Sequence, residues 1–406
     1  MSLNNANAFK EEIIVMKKVL SALVTVAMVA SLLVGCGSDA ASQSADSAAT
    51  DGGNTIKIGS TGPITGAAAV YGNAVKNGAQ IAVDEINAAG GINGFQIEYR
   101  FEDDEHDAEK AVNAYNTLSD WGMQLMMGTV TSAPCVAVCE KTHADNIYQL
   151  TPSGSSTECV KYDNSFQVCF TDPNQGIASA DYIADNAIAT KVAVIYDSSD
   201  VYSSGIYEKF AAEAQTKGLE VVAAEAFTAD NNKDFTTQLQ KAKEGGAELV
   251  FLPIYYSEAT LILSQANTMG FAPIFFGCDG LDGILGVENF DTSLAEGVML
   301  LTPFAADATD DKTVGFVSQY KEKFNETPNQ FAADAYDAIY IIKAAAEQAG
   351  VTADMSNADI CAAMQTAMTQ ITVDGLTGDA MTWAATGEVS KGPKAVIIKN
   401  GAYVAM

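Results

Sequence analysis

Lys191-Val-Ala-Val-Ile-Tyr196, an amphipathic stretch over Gly205–Lys217 closed by Gly218, then Glu220-Val-Val-Ala-Ala-Glu-Ala226: this run decides the fold. An unbroken apolar run such as VAVIY, with no polar alternation, suits a strand covered on both faces, as strands of parallel sheets are. Glycine after the amphipathic stretch ends a helix. The same alternation continues through a helix over Phe235–Glu244, a strand at Leu249–Ile254, a helix over Glu258–Met269 and a strand at Pro273–Gly277. It also runs upstream. Thr55–Ser60, Phe95–Phe101, Gln124–Gly128 and Ile147–Leu150 read as strands. Between them Tyr71–Ala89, Ala108–Trp121 and Pro134–Ala144 read as helices, the first with Val75, Ala79, Ala82 and Ile86 on one face. The pattern restarts after Asp172-Pro173, so two doubly wound parallel sheets in succession are expected, an α/β fold. The remainder holds a strand at Val298–Leu301, helices over Lys312–Phe324 and Ala332–Ala349, and a β-rich piece from Leu376 to Val404. It is too small for a third domain, and its return to the first two creates a hinge.

The chain opens with an export signal. Met16-Lys17-Lys18 precedes an apolar run from Val19 to Val34, shorter than a membrane span needs and interrupted by Ser21, Thr25 and Ser31. Residues 1–35 are therefore read as an upstream extension plus a signal peptide. Residues 37–54, rich in Ser, Ala, Asp and Gly, are too polar to bury a core and read as a flexible tether.

The net charge of −29, from 22 basic and 51 acidic side chains, excludes a basic footprint for nucleic acid. It equally disfavours adhesion to an anionic bilayer. Six of the seven cysteines, Cys135, Cys139, Cys159, Cys169, Cys278 and Cys361, lie beyond the signal, and an exported chain can pair them. Cys159 and Cys169 could close a short loop, although Cys169, Cys278 and Cys135 have apolar neighbours; spacing leaves the connectivity open.

Enzyme chemistry finds little support. Gly59-Ser-Thr-Gly-Pro-Ile-Thr-Gly66 lacks both the P-loop lysine and dinucleotide glycine spacing. His106 and His143 have no metal-ligand spacing and read as surface residues, and no Gly-x-Ser-x-Gly elbow occurs. No cofactor or metal is expected. Polar residues do collect after strands, where open α/β sheets bind ligands. Thr129–Pro134 and Thr151–Thr157 offer hydroxyls, amides and a helix N-terminus suited to a carboxylate. Tyr255-Tyr256, Cys278-Asp279-Gly280 and Asp197-x-x-Asp200-x-Tyr202 supply an acid and tyrosines from the second sheet. Together these make a cleft for a small zwitterion, although each alone is also ordinary turn punctuation.

Gly62-Pro-Ile-Thr-Gly66, Tyr71-Gly72, Asn77-Gly78-Ala79 and Glu85-Ile-Asn-Ala-Ala-Gly-Gly-Ile-Asn-Gly94 resemble the opening of the branched-chain amino-acid binding proteins of ABC importers. Asp103-Asp104, Tyr202-x-x-Gly205, Asp234-Phe235, Gly270 and Ala335-Tyr-Asp-Ala338 extend the resemblance to the C-terminus. Leu33-Val-Gly-Cys36 resembles a lipobox, which implies lipidation of Cys36 and a cell-membrane lipoprotein held outside the cytoplasm. The resemblance implies a type I periplasmic-binding fold whose two lobes, joined by three crossovers, close on a ligand. Lobe 1 is expected at 55–172 plus 304–375 and lobe 2 at 173–303 plus 376–406.

It further implies that Ser132 holds a ligand carboxylate, joined by the hydroxyl and amides at Ser155, with a carbonyl at Ser153 or Gly154 for the ammonium. Asp279 pairs with the ammonium where relatives often carry glutamate. Tyr71 covers the ligand side chain, with Tyr202, Tyr255 or Tyr256, and Phe331 completing the pocket. Two departures stand out. The first-lobe disulfide of some members would fall near His106 and Thr131, where no cysteine stands, and the side-chain pocket matches poorly for leucine, isoleucine and valine. The expected function is capture of a small amino acid by a monomer that delivers it to an ABC permease and touches the membrane through its lipid alone. The rival readings are binding of an amide, urea, short peptide or aromatic acid, a ligand sensor of the same fold, or an exported enzyme.

Overall fold

A computed structural model describes residues 55–406; the export signal, Cys36 and the tether lie outside the described residues. The first half alternates β1 (Thr55–Gly62), α1 (Ala69–Ala88), β2 (Gln96–Asp103), α2 (Ala108–Asp120), β3 (Leu125–Met127), α3 (Ser132–Ala144), β4 (Tyr148–Thr151) and β5 (Ser165–Gln167). Its five strands run parallel in the order β2-β1-β3-β4-β5. The second half continues with α4 (Asp172–Asp185), β6 (Lys191–Asp197), α5 (Val201–Lys217), β7 (Glu220–Phe227), α6 (Thr236–Glu244), β8 (Leu249–Leu252), α7 (Tyr256–Thr268), β9 (Ile274–Gly277) and β10 (Met299–Thr302). Then come α8 (Asp311–Phe324), α9 (Gln330–Ala349), α10 (Asn357–Met368), β11 (Lys394–Lys399) and β12 (Ala402–Ala405). The second sheet has the order β12-β11-β10-β9-β8-β6-β7, with β11 and β12 antiparallel additions at its edge.

Local chemistry accounts for most of these elements. The Val192–Ile195 core of β6 is buried because the strand lies inside the sheet with helices on both faces, whereas edge strand β7 is half exposed. Asp200 caps α5 by accepting from Ser203 N, and Gly218 ends it in the left-handed conformation. This cap starts α5 four residues before the expected Gly205 and places Tyr202 in its first turn. Three elements were not foreseen. β5 is only three residues long, α4 follows a Thr171 cap with Pro173 in its first turn, and α10 carries a short, weakly amphipathic pattern.

The C-terminal third returns to the first sheet. α9 packs across α1 so closely that a Cβ at Gly78 would sit 2.0 Å from the Ala332 carbonyl oxygen. Gln319 and Lys323 of α8 reach Glu85 and Asp84 of α1. The chain thus passes between the sheets after β5, after β10 and again before β11. That last passage comes later than the 375/376 boundary read from the sequence. Leu376 N and Thr377 N donate to Asp337 of α9, Trp383 Nε1 donates to the Gln167 carbonyl of β5, and Lys391 pairs with Asp334. The β-rich piece expected from Leu376 is accordingly sparse, two bridges followed by β11 and β12. All six described cysteines are buried and free; the loop closure that the spacing of Cys159 and Cys169 allows is not made. Among the described residues no helix is long and apolar enough to cross a membrane.

Candidate functional site

The carboxyl ends of β1, β3 and β4 face those of β6, β8 and β9 across a narrow cleft. Each sheet changes strand order there, between β1 and β3 and between β6 and β8, which opens a crevice for loops. The cleft is lined by Tyr71, Val130, Thr131, Ser132, Ser153 and Ser155 from the first half, and by Tyr202, Tyr255, Asp279 and Gly280 from the second. Phe331, from the first turn of α9, completes it. The cavity measures about 10 Å3, about the room one water needs. Anything larger enters only when the lobes part.

On the first-lobe side, Ser132 opens α3, and its Oγ accepts from Ser155 N at 3.2 Å and Ser156 N at 3.3 Å. These are long hydrogen bonds, from donors that an anion could take over. The Ser155 hydroxyl is buried, with Asp172 beside it. Ser153 is turned by its own hydroxyl, which donates to the Val130 carbonyl at 2.6 Å. Gly154 stands behind the cleft rather than in it, its N–H donating to Thr151 Oγ1 at 2.7 Å.

Across the cleft, Asp279 accepts from the Tyr202 hydroxyl at 2.7 Å, while its own N–H donates to Gln175 Oε1. Burial pushes its carboxyl up to about 6, against the Tyr202 hydrogen bond and the nearby Gln175 side chain, which favour the anion. Tyr202 stacks on Tyr255 with ring centres 4.8 Å apart. Tyr71 bridges the lobes: its hydroxyl donates to the Gly280 carbonyl and accepts from Tyr256 N. Tyr256 lines no part of the cavity; its hydroxyl takes Val70 N at 3.1 Å and so holds the lobes together at the rim. Phe331 packs on Tyr71 at 4.3 Å between ring centres.

Two residues escaped the sequence reading. Asp172, at the start of α4, is buried beside the Ser155 hydroxyl, behind the cavity lining, and no other donor reaches its carboxylate oxygens. Burial pushes its carboxyl well above the ordinary range, helped by the nearby charge of Asp279. The available signal was its place right after an apolar strand, but β5 is too short to stand out. His106 was read as a surface residue. It is instead half buried between the lobes, its Nδ1 2.8 Å from Thr131 Oγ1 and its ring edge-on to Tyr255. His143 is exposed, stacked on Tyr162.

A model of periplasmic binding proteins matches residues 55–401. The chain belongs to this family. Among curated relatives, Leu/Ile/Val-binding protein homolog 3 of Brucella melitensis is 32% identical over 305 residues, 74% of this chain and 80% of that protein. The leucine-, isoleucine-, valine-, threonine- and alanine-binding protein of Pseudomonas aeruginosa is 29% identical, over 73% of this chain and 79% of its own length. The crystal structure of the branched-chain amino acid transporter substrate binding protein LivJ from Streptococcus pneumoniae, in complex with isoleucine, superposes with a TM-score of 0.78 at 30% identity, covering 86% of this chain and 98% of LivJ. Leucine binding protein LivK of Thermotoga maritima gives the same TM-score at 26% identity, covering 87% and 98%. This periplasmic binding protein therefore has the type I architecture of two parallel-sheet lobes, works outside the cytoplasm, and binds a solute rather than transforming it.

The buried acids of this binding protein give it a specific pH response. Asp200 and Asp279 are pushed up to about 6, and Asp104 and Asp282 to about 7, in each case chiefly by burial. Between the unfolded carboxyl value of about 4 and these folded values of about 6 to 7, the folded chain holds more protons than the unfolded one. The ligand-free protein is thus expected to gain stability as pH falls from about 8 to about 5. Exposed acids held low by their hydrogen bonds, such as Asp310 and Asp234, reverse the trend only below about 4. Melting temperatures across this range test the sign, and a protein less stable at pH 5.5 than at pH 8 contradicts it. Asp282→Asn should flatten the slope.

Proposed function

We propose that this protein captures a small α-amino acid and presents it to the permease of an ABC importer. The observation that carries the reading is the polarity of the cleft. The buried Ser155 Oγ and the Ser155 and Ser156 amides stand on one lobe, and Asp279 stands opposite. Buried polar groups without partners are costly, so a ligand that satisfies all of them gains affinity from each. An α-carboxylate on Ser132 and Ser155 at the N-terminus of α3, with the ammonium on Asp279 and the Ser153 carbonyl, does so. The rings of Tyr71, Tyr202, Tyr255 and Phe331 then enclose the side chain. The relatives named for binding leucine, isoleucine, valine, threonine and alanine, and the isoleucine complex of LivJ, support this ligand class.

In this reading the three passages of chain between the sheets act as the hinge. Lobe 1 comprises 55–172, 304–375 and the segment 376–391 that packs on it, and lobe 2 comprises 173–303 with 392–406. The protein works as a monomer tethered by a lipid on Cys36 and the segment 37–54.

Thermal unfolding of the purified protein against amino acids, amides and small organic acids tests the ligand class. A ligand that binds only the folded state raises the melting temperature by mass action. One or a few L-α-amino acids are expected to do so. A shift with an amide or an organic acid, and with no amino acid, overturns the reading.

A further inference from the structure

Directly behind the Ser132 and Ser155 loops lie two thiols. Cys135 stands in the first turn of α3, three residues after Ser132, and Cys159 in the short 3-10 helix Thr157–Val160 that follows Ser155 and Ser156. Both are fully buried. The Cys159 sulfur lies 3.7 Å from the carbonyl oxygen of Ser132, in the same turn of α3 that carries Cys135, and the two thiols are neighbours. Cys135 also accepts from Gln149 Nε2 at 3.5 Å and underlies Gly154, where an added Cβ would come 3.1 Å from the sulfur. The pair is thus the floor on which the Ser132 and Ser155 loops rest.

The two sulfurs differ in chemistry. Burial pushes the Cys159 thiol well up. Burial opposes ionisation of Cys135 as well, but hydrogen bonds from Cys159, Thr129 and Thr151 outweigh it and hold that thiol below its ordinary value. Both sulfurs are sealed from solvent in the folded chain, so exchange with a small disulfide takes place during folding, before the two loops close over them. Cys139, one turn further along α3, is pushed up to about 12 by burial and donates instead to the Val136 and Glu158 carbonyls. Outside the cytoplasm a disulfide, once formed, persists.

We propose that Cys135 and Cys159 form a disulfide in an oxidising thiol–disulfide pool, locking together the two loops that present Ser132 and Ser155. While the chain is still folding and the thiols are open to solvent, the Cys135 thiolate attacks one sulfur of a small-molecule disulfide and expels one thiolate. Cys159 loses its proton and attacks the Cys135 sulfur of the mixed disulfide, expelling the second. The cysteines lose two electrons and two protons, and the small disulfide is reduced to two thiols. The new bond ties α3 to the 3-10 helix and fixes Ser132 Oγ against the Ser155 and Ser156 amides. The bearing on ligand binding rests on the carboxylate reading above; formation of the bond does not.

Refolding the purified, reduced protein with oxidised or with reduced glutathione separates the two claims. With the oxidant, the intact mass is expected to fall by about 2 Da as two thiol hydrogens are lost. Peptide mapping should join the Cys135 and Cys159 peptides, and the melting temperature should rise by about 5 °C. Amide exchange at Ser155 and Ser156 should slow by about tenfold or more. Cys139→Ser should leave these results intact, and Cys159→Ser should abolish the mass loss. An unchanged mass, or a bridge to Cys139 or Cys169, overturns the proposal. A Cys135–Cys159 bridge with unchanged exchange at Ser155 and Ser156 overturns the locking of the loops. Should a cysteine variant fail to refold, mapping of the unmodified chain decides alone.

Discussion

Asp279→Asn is expected to weaken amino-acid binding by at least about a hundredfold, close to 3 kcal/mol. The substitution keeps the size of the side chain and an oxygen for the Tyr202 hydroxyl, so the cleft retains its shape. It removes the negative charge, and a buried ammonium left facing a neutral amide loses its main electrostatic partner. Asp172 cannot replace it fully, because burial already holds that carboxyl toward its neutral form. Stability of the ligand-free variant should match or exceed that of the parent at pH 8, where the parent must keep Asp279 ionised at a burial cost. Calorimetry with the amino acid found in the thermal panel decides the matter. An affinity within about threefold of the parent, less than 1 kcal/mol, would remove Asp279 from the site. Loss of binding with a collapsed melting temperature would show a structural role instead.

Lys391→Met should destabilise the folded protein by about 3–5 kcal/mol. The Lys391 and Asp334 side chains are 3% and 0% exposed, with Nζ 2.8 Å from Asp334 Oδ1 and 2.7 Å from Thr377 Oγ1. Thr377 in turn is held by Asp337, so the pair anchors the segment before β11 to α9. Removing the cation strands a buried carboxylate whose other oxygen already has no partner. The cost therefore comes from the acid left behind, and a second change, Asp334→Asn, should recover most of it. Urea unfolding of the single and double variants checks both statements. A single variant as stable as the parent, or a double variant no better than the single, contradicts this account. Because the pair sits on the last passage between the lobes, the double variant should also shift the balance of open and closed forms, visible as a change in the radius of gyration.

Most strands and helices were legible because their signals are local. VAVIY in β6 needs no knowledge of its neighbours to read as a covered strand, and Gly218 marks a helix end wherever the helix lies. The loops facing the cleft were legible for the same reason: Ser132, Ser155, Tyr202, Tyr255 and Asp279 each follow an apolar run that ends at the carboxyl edge of a sheet. β5 and α10 were not, since three residues or a weakly patterned dozen carry too little periodicity. His106 looked like a surface residue beside acidic neighbours, and only the approach of Tyr255 from the other lobe encloses it.

Sequence alone determined the order of elements, the two-sheet plan and the polar character of the loops, because hydrophobic period and turn chemistry act between residues close in the chain. Only the tertiary structure decided which polar groups lack partners. Folding buried Asp172 behind the cavity lining with no donor in reach but the Ser155 hydroxyl. Tyr256 left the pocket when its hydroxyl found Val70 N, and Tyr71 became a bridge by reaching Gly280 across 209 residues of chain. Lys391 found Asp334 in the same way, 57 residues away. Pairings of this kind depend on where whole helices and lobes come to rest, and no local pattern encodes that.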